Sequence, residues 1–113
     1  MKYVMLVHYK PGYYDVLSED EQKAVFGEYR ALGEDPRAVG GAQLQPVETA
    51  TTVRVQDGQT LTADGPYADT EEVFGAYYVF EVDDLDEAIE VAARIPAARL
   101  GGAIEVRPLV ERS

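Results

Sequence analysis

The sequence predicts an α+β fold: a ferredoxin-like split βαβ sheet with an inserted β-hairpin and both helices on one face. Three observations carry this. Strand-type and helix-type stretches follow one another as β-α-β, a hairpin excursion, then β-α-β. Both copies of that unit hold a helix with its own start signal. The inner strands are apolar on two faces, so each face needs a cover. Helices cover one face, and 113 residues leave no third layer for the other. A second copy of the chain is the simplest cover, so a homodimer packed sheet to sheet is expected.

Residues 2–9 read as the first strand. Tyr3, Met5, Val7 and Tyr9 fall on one face, and Lys2, Val4, Leu6 and His8 on the other. Pro11-Gly12 breaks it. Ser18 and Glu21 fit a capping box, in which each residue's side chain satisfies the other's backbone N–H. Val25, Tyr29 and Leu32 then recur at helical spacing, and Gly33 is the expected stop. Gly40-Gly41 is expected to open a loop before strands at 42–47 and 51–56. Asp57-Gly58 suits the two positive φ angles of a type I′ turn, so residues 60–63 return as a hairpin. Residues 64–70 read as a loop and residues 75–82 as an aromatic, β-branched strand. Asp84 is placed to cap the second helix, with Glu87 three residues on and Leu85, Ala88, Ile89 and Ala92 as its apolar stripe. Pro96 ends that helix. Residues 103–109 form the last strand, with Ile104 and Val106 facing one way and Glu105 and Arg107 the other.

Length points to one domain spanning residues 1–113. Ten basic against 21 acidic residues give a net charge of −11. That excludes the basic footprint of a nucleic-acid binder and disfavours an anionic membrane surface. With no cysteine and one histidine, thiolate chemistry, disulfides and multi-histidine metal centres from one chain are excluded. No apolar run is long enough for a signal peptide or a membrane helix, so a cytoplasmic protein is expected.

Residues Asp64-Gly65-Pro66-Tyr67-Ala68-Asp69-Thr70-Glu71-Glu72, Gly75-Ala76-Tyr77-Tyr78, Val82-Asp83-Asp84-Leu85-Asp86-Glu87-Ala88 and Glu105-Val106-Arg107-Pro108 share their order and spacing with one family. With the opening Met1-Lys2-Tyr3-Val4-Met5-Leu6, the chain resembles the YCII-related, or DGPF-domain, family along nearly its whole length. The resemblance implies a ferredoxin-like fold of the dimeric α/β-barrel class. It implies little chemistry: some relatives are suspected enzymes with a His and an Asp in a pocket, and the DGPF branch often accompanies sigma-factor genes. Tyr67 stands where the family's namesake Phe would be. The family's histidine does not transfer onto His8 residue by residue.

Candidate chemistry centres on His8, a residue type whose ordinary pKa suits proton transfer near neutral pH. Asp64 would orient it if the 64–70 loop folds over the sheet; otherwise Asp64 is a turn residue before Gly65. Tyr67 and Tyr13 would contact a small organic substrate, and Arg54 has the planar fork that clamps a carboxylate. Asp69 is a further substrate contact. As a cation site with Glu71 and Glu72 it lacks any known ligand spacing, so no metal is assigned, and nothing calls for a cofactor. The function expected is small-molecule binding, with His8 and Asp64 as acid–base residues. The alternative is a regulatory module whose acids at Glu81, Asp83, Asp84, Asp86 and Glu87 meet a basic partner such as a sigma factor.

Overall fold

In a computed structural model that describes residues 1–111, the strands form two antiparallel sheets. The elements in chain order are β1 (Lys2–Tyr9), α1 (Glu19–Glu34), β2 (Ala38–Gln43), β3 (Thr51–Gln56), β4 (Gln59–Asp64), β5 (Val73–Glu81), α2 (Leu85–Ala93) and β6 (Ala103–Pro108). The main sheet has the order β2-β5-β1-β6, and β3 and β4 pair only with each other. With the hairpin set aside, this is the split βαβ order that two interlocked β-α-β units require.

One face of β1 is the core. Tyr3, Met5 and Val7 are buried there with Phe80, Val82, Leu32, Ala88, Val91, Ala92, Ile95 and Ala97. Val4, Leu6, Tyr77 and Val79, on the other face, are only half-buried. The α1 capping box is present: Ser18 Oγ accepts from Glu21 N–H, and Glu21 accepts from Ser18 N–H, each at 3.1 Å. Asp84 caps α2 by accepting from Glu87 N–H at 2.9 Å. The hairpin turn has Asp57 at φ 52° and Gly58 at φ 75°, as a type I′ turn demands.

Four expectations are corrected. Gly33 lies inside α1, which runs to Glu34 and stops at Asp35, held extended by the following Pro36. Gly40 and Gly41 lie inside β2, which is shifted toward the N-terminus. A Cβ on Gly41 would come within 2.7 Å of the Tyr77 carbonyl oxygen, so the strand needs glycine there. Val47 sits in a 3-10 turn, Val47–Thr49. On α2, Leu85 and Ile89 are half-exposed, while Val91 is fully buried. The small Ala88 and Ala92 let that helix dock on the side that carries Val91.

Arg37 ties the two helices together. It donates to both carboxylate oxygens of Asp35 (3.0 and 2.9 Å) and to Glu87 (2.9 Å). The Arg37 hydrogen bonds hold the Asp35 carboxyl at about 2, below the usual carboxylate range. Among the described residues, no helix is long and apolar enough to cross a membrane.

Candidate functional site

The site is built where β1 ends. The ladder between β1 and β5 slips there: Val7 pairs with Ala76, but His8 pairs with Phe74, leaving Gly75 as a bulge. The bulge brings Phe74 alongside His8, with ring centroids 5.8 Å apart. On the side away from β1, the Gly75 carbonyl accepts from Leu44 N–H at 2.9 Å, one step beyond the Gln43–Ala76 pair of β2 and β5. The Tyr9 ring lies directly over Gly75, where a Cβ would collide with it.

His8, Phe74, Leu44, Pro46, Tyr67 and Ile104 help line an open cavity of about 920 Å³. Its walls are mainly apolar, and its carboxylates are Glu71, Glu72 and Glu105. His8 is partly buried and its Nε2 lies 3.9 Å from Glu105 Oε1. Glu105 is held there by pairing: it lies opposite Leu6 in β1, and Leu6 shares a face with His8. Glu105 also lies 3.9 Å from Arg107, and Glu71 lies 3.5 Å from Lys10.

The expected site residues separate into two groups. His8 and Tyr67 line the same cavity. Arg54 does not line it, but its guanidinium sits 4.9 Å from the centre of the Tyr67 ring, a cation–π contact. Asp64, Asp69 and Tyr13 are not among the lining residues. Asp64 is the last residue of β4 and pairs with Thr51, and after the hairpin the chain returns to the cavity wall only at Pro66. Among the described residues, no carboxylate other than Glu105 lies within 4.0 Å of a His8 nitrogen. The residue missed from sequence is therefore Glu105. Antiparallel pairing of the first and last strands would have found it.

Tyr13 belongs to a different cluster, on the helix side of the sheet. Its hydroxyl lies 2.9 Å from that of Tyr29, and its ring stacks obliquely on Tyr9 at 5.2 Å. Burial raises the pKa values of the Tyr13, Tyr29 and Tyr78 phenols above the ordinary value. Among the described residues, no three His, Asp or Glu side chains converge to hold a metal ion. In the acidic stretch, Asp84 caps α2, Glu87 binds Arg37 and the Asp83 N–H, and Glu81 lies 3.6 Å from the terminal ammonium.

The model of the YCII-related domain matches residues 1–113. An uncharacterised protein of Rhizobium meliloti (strain 1021) is 31% identical over 114 residues, covering 96% of this chain and 92% of the relative. A solved structure of 5-chloro-2-hydroxyhydroquinone dehydrochlorinase from Burkholderia phenoliruptrix AC1100, in complex with 2,5-dihydroxybenzoquinone, matches with a TM-score of 0.54 at 17% identity. That match covers 99% of this chain and 96% of the other, and the likeness is one of fold.

Proposed function

This chain belongs to the YCII-related family, and from that premise we propose that it binds a small ring-bearing organic molecule beside His8, which exchanges a proton with it. The observation that carries the reading is the chain's only histidine in the wall of a mainly apolar cavity, with a carboxylate facing it at 3.9 Å. Few convergent polar groups in an apolar hollow are the usual make-up of a small-molecule site.

In this reading His8 takes a proton from a hydroxyl of the bound molecule. Glu105 faces the imidazolium that forms, in the role the sequence assigned to Asp64. Phe74 and Tyr67 supply flat apolar surface for a ring, and Arg54 fixes Tyr67 in place. The dehydrochlorinase of the same fold was solved with a hydroxylated quinone, which makes 2,5-dihydroxybenzoquinone a rational first probe. The regulatory reading has less to stand on, because Glu81, Asp84 and Glu87 already serve contacts within the chain.

A lone histidine gives one set of imidazole signals, so NMR reads the site without mutation. Titration with 2,5-dihydroxybenzoquinone and a panel of phenols should move the His8 signals saturably, and His8→Ala should abolish turnover of any ligand that reacts. Silence of the His8 signals across the panel would defeat the reading. So would turnover that His8→Ala leaves unchanged.

A further inference from the structure

We infer that the β3–β4 hairpin is an arm that docks on a second copy of this chain and closes that copy's cavity. The closing role rests on the reading of the cavity as a ligand site; the docking itself does not.

The single chain has more surface than its size requires. Its accessible area is 7922 Å², whereas a folded monomer of this mass exposes about 6,100 Å². The excess of about 1,800 Å² per chain, doubled, falls in the range buried by obligate homodimers. The shape agrees: the chain is a slab of 46 × 45 × 19 Å with a radius of gyration of 16.0 Å, against about 13 Å for a compact chain of this length.

The surplus lies in two places. One is the half-buried sheet face of Val4, Leu6, Tyr77 and Val79. The other is the hairpin, whose strands pair with nothing but each other. A lone two-stranded ribbon is marginal in water and leaves both edges unpaired. Thr52 and Arg54, on one of its faces, hold it to the following loop: Thr52 Oγ1 donates to Gly65 O at 2.9 Å, and Arg54 stacks on Tyr67. On the opposite face, Val53 and Val55 are 60% and 71% exposed.

Charge selects the occupant. Copies of a chain with net charge −11 repel wherever acidic surfaces meet. The hairpin carries Arg54, Asp57 and Asp64, a net of −1 against −11 for the whole chain, so it can approach another copy with little of that penalty. Each chain offers one arm with Val53 and Val55 exposed among threonines and one apolar sheet face. A two-fold axis satisfies both at once, each arm lying on the other chain's face, where the cavity opens beside His8.

The absence of cysteine makes the test direct. Light scattering should give the wild-type chain twice 12.4 kDa and the Val53→Asp/Val55→Asp variant the monomer mass, with the circular dichroism of a folded chain because neither residue is in the core. A monomeric wild type, or a variant that stays dimeric, overturns the inference. The second measurement uses Val55→Cys carrying a nitroxide, refolded together with wild-type chains labelled on histidine. The His8 signal of the labelled chains should broaden in the mixed dimer; an unbroadened signal overturns the arm's reach to the cavity. If 2,5-dihydroxybenzoquinone leaves His8 unmoved while the broadening is present, the ligand reading fails and the docked arm stands.

Discussion

Gly75→Ala should change sign according to what stands at position 9. The backbone at Gly75 is not in the left-handed region, so alanine fits its conformation. Alone, the exchange should favour the folded state by about 0.5–1 kcal/mol, because alanine loses less freedom on folding. The Tyr9 ring forbids this. A Cβ built on Gly75 lies 2.6 Å from Tyr9 Cζ and 2.7 Å from its hydroxyl oxygen, and still closer to the ring edge. The ring must swing away, which costs its stacking on Tyr13 at 5.2 Å, about 0.5–1.5 kcal/mol. Displaced packing adds about 1–3 kcal/mol. The net expectation is a loss of about 2 kcal/mol in the wild-type background and a small gain in Tyr9→Ala. Urea unfolding of the four proteins of the double-mutant cycle measures both. Equal effects of Gly75→Ala with and without Tyr9 would refute the reasoning. His8 NMR signals, recorded in parallel, should move in Gly75→Ala because the bulge sets the His8–Phe74 contact.

Phe80→Ala should cost about 3–5 kcal/mol in urea unfolding, since the ring is fully buried beneath both helices. Ser18→Ala should cost about 1 kcal/mol, by loss of the cap at the start of α1. The Asp35 carboxyl titrates at about 2 in the folded chain against an ordinary value of 3.8. Its stabilising contribution is therefore full above the ordinary value and is lost as pH falls through about 2. Arg37→Met should be less stable than wild type at neutral pH and converge with it below pH 2; parallel curves throughout would contradict this. Ultraviolet titration should show Tyr13, Tyr29 and Tyr78 ionising above the ordinary phenol value, because burial raises them. The stability they add is present below the ordinary phenol value and fades as pH rises through their raised ones.

Local signals in the sequence were readable, and long-range ones were not. The bounds of β1 and β3, both helix caps and the Asp57-Gly58 turn depend on neighbours within a few residues, and they match. The place of β2 depends on pairing with β5, some 36 residues away, and it begins several residues before the stretch that local pattern favours. The buried side of α2 is set by where Val91 docks, which helical spacing alone does not decide when Leu85 and Ile89 are equally apolar. The site shows the same divide. His8 and Tyr67 stood out by residue type and loop context. Glu105 is an ordinary strand acid until β6 is laid beside β1.

The bulge joins the fold to the site more tightly than any single site residue does. In a regular β1–β5 ladder the residue opposite His8 would be Gly75, which has no side chain to offer a ligand. Skipping Gly75 puts Phe74 there instead, while on its other edge the Gly75 carbonyl holds Leu44. Phe74 in the cavity wall thus follows from the bulge, and Leu44 is held near it by the same glycine. The same glycine leaves room on the opposite face for Tyr9, which carries the packing on to Tyr13. A larger residue at position 75 would therefore disturb the core face and the cavity together, whereas Glu105→Gln removes a charge beside His8 and Arg107 and touches no core residue. If Glu105→Gln alters a ligand's effect on His8 while leaving urea unfolding within about 0.5 kcal/mol of wild type, chemistry and packing on the two faces of this sheet are separable.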